Sequence, residues 1–115
     1  MFNEIKESVD IPANAKHRVF KWDKGDVYFS MARRGDALSI HIMAKTREAK
    51  RKAGKALKQF TNWCFDNFGW CKHVLGVIDP NKPGLVKMAK NQGYQVYGNM
   101  SKDDEIKAVI VGRSR

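Results

Sequence analysis

Apolar positions along the chain switch between helical and strand periods, and the switches mark out the elements. Phe2, Ile5 and Val9 stand at helical spacing and predict a short amphipathic helix over residues 1–9, which Pro12 ends because it cannot donate a helical hydrogen bond. Val19 to Trp22 reads as a strand. Asp23-Lys24-Gly25-Asp26 follows as a turn in which Gly25 can take a positive φ at little cost. Val27, Phe29 and Met31 then alternate with Tyr28 and Ser30, the pattern of a half-buried strand. Arg33-Arg34-Gly35-Asp36 turns the chain again, and Leu38, Ile40 and Ile42 mark a third strand with His41 on its other face.

The period then changes. Leu57, Phe60, Cys64 and Phe68 form an apolar stripe along a long helix, with Gly69 where a glycine would close its C-terminus. His73 to Ile78 is almost continuously apolar and predicts a strand covered on both faces. The loop Asp79 to Gly84 leads into a second helix over about Leu85 to Asn91, stopped by Gly93. Tyr94 to Met100 and Ile106 to Val111 complete the strands, joined by the turn Ser101-Lys102-Asp103-Asp104. The expected architecture is α/β, a mixed and mostly antiparallel sheet flanked by helices, with a central βαβ unit.

The chain has 115 residues, 43% of them hydrophobic. That suits one domain over 1–115, with residues 1–15 as an N-terminal helix or extension and 16–111 as the core. No apolar run approaches the ~18 residues needed to span a bilayer. The N-terminus is mixed in charge and lacks an apolar signal region, so the cytoplasm is the expected location.

Charge changes the picture more. Lys and Arg number 22 against 12 Asp and Glu, a formal net charge of +10. From Lys45 to Lys58 there are seven basic residues and one acid, Glu48, so this segment carries net +6. Such a block forms a solvated face and favours a polyanionic partner, whether a phosphorylated cofactor, a nucleic acid or an acidic protein. Two cysteines, Cys64 and Cys71, are expected as reduced, partly buried thiols. Cys71 and His73 supply only half of the four ligands of a structural zinc site, so no metal is expected.

The informative segment is Arg51-Lys52-Ala53-Gly54-Lys55-Ala56, which follows the third strand and is expected to open the long helix. A glycine-containing loop at a helix start offers free backbone N–H groups and the positive end of the dipole. Gly54 would let the backbone approach an anion, Ala56 keeps the first turn free of bulk, and Arg51, Lys52 and Lys55 add charge. The bland alternative is a basic helix start with an incidental glycine.

RKAGKA also fits the R/Q-x-x-G-x-G/A signature of the GCN5-related N-acetyltransferases. The downstream VLGVIDPNKPGLVKMAKNQGYQVYG resembles that family's second conserved region, with Asn81 at its asparagine position and Gly93-Tyr94 with Gly98 at its final element. The resemblance covers about residues 26–111. It implies binding of acetyl-CoA, with the diphosphate held by Arg51, Lys52, Ala53, Gly54, Lys55 and Ala56. It further implies a thioester carbonyl polarised by strand amides including Ile42, Met43 and Ala44, contact from Asn81, and a protein or small-molecule amine as acceptor.

Departures from the family pattern matter. The chain is shorter than usual for the family, and the missing N-terminal elements often form one wall of the acceptor site. Met88 occupies the position of the usual general-acid tyrosine, and Gly84 that of an alternative serine. His41 is the candidate base, since an imidazole titrates near neutral pH; satisfaction by a sheet neighbour is the competing role. Tyr97, and equally Tyr94, is a weak acid candidate. Short, acid-less members occur among bacteriophage proteins, so a degenerate binding or structural protein is the first alternative. A basic nucleic-acid-binding domain, with Trp22, Tyr28 or Trp70 for stacking, is the second.

Overall fold

A computed structural model of the chain describes residues 1–5 and 18–115. Its elements run β1 (Phe2–Ile5), β2 (Arg18–Trp22), β3 (Val27–Arg34), β4 (Ala37–Ala44), α1 (Arg47–Asn67), β5 (His73–Ile78), α2 (Pro83–Asn91), β6 (Gln95–Lys102) and β7 (Glu105–Ser114). The seven described strands form one sheet in the order β1-β2-β3-β4-β5-β7-β6. All neighbours are antiparallel except β4 and β5, which run parallel because α1 carries the chain back between them. The expected α/β class and central βαβ unit are therefore present.

Residues 2–5 are a strand, which corrects the helix expected there; Val9 and Pro12 lie outside the described residues. Phe2 pairs with Trp22 and Ile5 with Val19. Positions three apart point to opposite faces of a strand. Phe2 enters the main core with Phe20, Phe29 and Phe60, whereas Ile5 packs with Val19, Tyr28 and Met43 on the other side. Apolar residues three apart mimic a helix here because this end of the sheet is covered on both faces. For the same reason β3 is buried along six residues, not half-buried as its alternation predicts.

The turns follow local chemistry. Gly35, at φ +64°, opens the two-residue link between Arg34 and Ala37. Asp103 and Asp104 both take positive φ, the geometry of a type I′ hairpin, which narrows the four-residue turn expected between β6 and β7. Gly93 ends α2 with φ +89°, as expected. Gly25 and Gly69 do not take the left-handed conformation.

Closure of α1 comes from the far end of the chain instead. The Arg115 guanidinium donates to the carbonyls of Phe65 (2.7 Å), Phe68 (2.8 Å) and Cys71 (2.9 Å), placing a cation at the negative end of the helix.

The core lies between the sheet and the helices. Phe60 is fully buried and stacks on Phe29 with centroids 4.2 Å apart, while Phe2 meets its edge at 5.0 Å. β5 departs from expectation, since only Val74 is fully buried and Val77 is 37% exposed. The second half of that strand borders an opening in the sheet.

Candidate active site

The opening arises where the parallel pair parts. β4 and β5 pair from Ala37–His73 to Ile40–Gly76 and no further. Beyond that point Val77 and Ile78 pair only with β7, and Ile42–Ala44 pair only with β3. A parted parallel pair leaves strand edges whose backbone groups lack a sheet partner on that side.

Two cavities with Ile42, Lys82 and Leu85 common to their walls occupy this region. One, of ≈ 580 Å³, is walled by Ile42, Met43 and Ala44 of β4, Lys50 and Ala53 of α1, and Lys82, Gly84, Leu85 and Met88 at the start of α2. The other, of ≈ 250 Å³, fills the gap between the strands and touches His41, Asp79, Lys82, Leu85 and Tyr94. A largely apolar trough with strand backbone along one wall and lysines at its rim fits an extended, amide-bearing chain ending in an anionic group.

The expected anion loop is placed differently. α1 begins at Arg47, with Thr46 as its N-cap: the Ala49 N–H donates to Thr46 Oγ1 at 3.0 Å and the Lys50 N–H to the Thr46 carbonyl at 2.9 Å. Arg51 to Ala56 therefore lie inside the helix, with their amides engaged in its own hydrogen-bond ladder. The free amides of the first turn belong to Arg47 and Glu48. Helical spacing then separates the side chains. Lys50 and Ala53 face the cleft and Ala56 is fully buried. Arg51, Lys52 and Lys55 are exposed, Lys52 pairing with Glu48 at 3.1 Å. Gly54 faces α2: a Cβ there would lie 3.0 Å from Gln92 Nε2 and 3.3 Å from Met88 Cγ, so its small size admits the second helix.

His41 is exposed at one mouth of the gap and makes no hydrogen bond among the described residues, so no sheet neighbour satisfies its ring. Tyr97 is turned away from both cavities. Its hydroxyl meets Ser114 Oγ at 3.0 Å, and Ser114 Oγ meets His73 Nδ1 at 3.0 Å, at the opposite end of β5 from the opening. Tyr94, by contrast, lines the gap, buried, with its hydroxyl 2.5 Å from Thr61 Oγ1. Asn81 is exposed and lines neither cavity; its backbone N–H donates to Asp79 Oδ1 at 2.9 Å. Met88 does line the cleft. Asp79, Lys82 and Leu85 were not among the sequence candidates, because only the parting of the strands brings them to the site.

No protein-family model matches the chain. No curated protein matches it either. Solved structures do. The aminoglycoside acetyltransferase AAC(6')-Ib in complex with coenzyme A aligns with a TM-score of 0.70 at 13% identity, over 87% of this chain and 67% of that one. A chimera of the spermidine N-acetyltransferase SpeG from Vibrio cholerae and hSSAT gives 0.71 at 11%, over 88% and 67%. An acetyltransferase of the GNAT family from Streptococcus pneumoniae gives 0.67 at 9%, over 90% and 70%. The fold is that of the GCN5-related N-acetyltransferases. This chain spans about two thirds of the length of these enzymes. Within the GCN5-related fold of this chain, no described helix is long and apolar enough to cross a membrane.

Burial governs the thiols and the inner phenol. Cys64 is fully inaccessible on the stripe of α1, and desolvation raises its pKa well above the ordinary thiol range, with a smaller contribution from Cys71. Desolvation likewise raises Tyr94, against the opposing hydrogen bond from Thr61. Both groups are held neutral by the fold, so stability is full below their unfolded values, about 8.5 and 10, and is lost as pH rises beyond them. Urea denaturation from pH 7 to 11 should show the midpoint falling above about pH 8.5. Tyr94→Phe should remove the part of that fall that begins near pH 10; an unchanged profile would place Tyr94 outside it.

Proposed function

We propose that this chain is an N-acetyltransferase of the GCN5-related family, moving an acetyl group from acetyl-CoA to a primary amine of a protein or small molecule. The observation that carries the reading is the parted β4–β5 pair with a cleft continuing from it to Lys50 and Ala53 of α1. The pantetheine arm lies along Ile42, Met43 and Ala44, over Ala53, Leu85 and Met88. The diphosphate sits at the amides of Arg47 and Glu48, with Lys50, Arg51 and Lys52 supplying side-chain charge. The backbone edge of β4 polarises the thioester carbonyl, a neutral amine attacks it, and His41 takes the proton released from nitrogen. A cytoplasmic location accords with a supply of acetyl-CoA.

A second reading is favoured by Met88, a side chain with no proton to give, in the cleft: a binding protein that keeps the groove without the chemistry. Calorimetric titration with acetyl-CoA and mass spectrometry of co-expressed proteins separate the two. Micromolar binding with added acetyl groups supports transfer, and binding without them supports the second reading. The basic face from Lys45 to Lys58 also suits a nucleic acid or an acidic protein; binding to a nucleic acid would weaken steeply with salt.

A further inference from the structure

We propose that the Lys82 ammonium is the proton donor to the departing thiolate, an assignment that rests on the acetyl-transfer reading above. The two cavities share three residues, Ile42, Lys82 and Leu85, and only Lys82 carries an ionisable group. It therefore stands where the cofactor trough meets the gap holding His41. The other groups that face this junction are accounted for. The Tyr94 hydroxyl is buried against Thr61, Asp79 Oδ1 accepts from the Asn81 backbone, Lys50 lies toward the diphosphate end, and Met88 and Gly84 have no side-chain proton to give.

Lys82 is the N-cap of α2, makes no capping hydrogen bond, and no acid stands in the first turn. A cation at the positive end of a helix dipole, in a position that favours Ser, Thr, Asp or Asn, works against stability. Its ammonium has no ion pair or hydrogen-bond acceptor among the described residues. A residue that breaks a local rule with no structural return, at the junction of two cavities, is placed as a functional group would be.

The step balances. The amine lone pair forms the bond to the carbonyl carbon, the C–S bond breaks with its electron pair going to sulfur, and sulfur takes a proton from Lys82 Nζ. The proton released from nitrogen goes to His41, and Lys82 regains one from solvent.

The test measures free thiol released from acetyl-CoA with n-butylamine as acceptor, beside calorimetric binding of acetyl-CoA. Lys82→Met should lower kcat about 100-fold while saturable binding persists. Lys82→Arg, charged but unable to release its proton, should also lose turnover. Lys82→Ser should raise Tm by supplying a cap while losing turnover, a combination a merely structural lysine would not give. Thiol release within threefold of wild type in Lys82→Met overturns this assignment and leaves acetyl transfer standing. Wild-type protein that binds acetyl-CoA but releases no thiol overturns both, and absence of saturable binding overturns the reading beneath them.

Discussion

Phe60→Ala is expected to destabilise the fold by about 4 kcal/mol, a large share of the 5–15 kcal/mol typical of a domain. Phe60 is fully buried and joins three elements: it stacks on Phe29 of β3, meets the edge of Phe2 in β1, and lies 6.1 Å from Phe20 in β2. Alanine would lose the transfer free energy of the ring and leave a cavity between rigid neighbours on both sides. Those neighbours are held by strand pairing, so collapse into the space is limited. Urea denaturation of both proteins measures the difference. A loss below about 1.5 kcal/mol would mean that this ring is not the pin between α1 and the N-terminal half of the sheet.

Leu85→Glu is expected to weaken acetyl-CoA binding about 100-fold, about 3 kcal/mol. Leu85 belongs to both cavities, and a carboxylate there would be desolvated by any ligand filling the trough and would repel an anionic one. The control is Lys87→Glu, which makes a larger change in net charge on the exposed side of α2. It should alter affinity less than about threefold. Equal losses in the two variants would reduce the effect to overall charge and mean that the cleft does not hold the ligand.

Much of this fold was legible because its elements obey local periodicity. The stripe Leu57, Phe60 and Cys64 is the buried face of α1, and Gly35 and Gly93 stop the chain where their positive φ is needed. β1 was misread because Phe2 and Ile5 reach two different cores, a fact about what covers the sheet and not about the local pattern. The start of α1 was misplaced for another reason. The R-x-x-G-x-A match drew attention to Gly54, while a plainer signal stood five residues earlier than Arg51: Thr46, a good N-cap, with Glu48 in the first turn and no residue after it that breaks a helix. Ile42, Met43 and Ala44 line the cleft because they end a strand beside that helix. Asp79, Lys82 and Leu85 join them only because β4 and β5 separate after Ile40 and Gly76, a tertiary event with no sequence period.

On the proposed reading, acetyl-CoA lies in the opening between β4 and β5 with its diphosphate on the first turn of α1. Titration of isotopically labelled protein with acetyl-CoA, followed by backbone amide NMR, tests it residue by residue. Saturable shifts should be largest at Arg47, Glu48 and Ile42 to Ala44, with smaller changes along Arg51 to Ala56. Shifts centred on the amides of Arg51 to Ala56, shifts confined to other parts of the sheet, or none at saturating acetyl-CoA would contradict it.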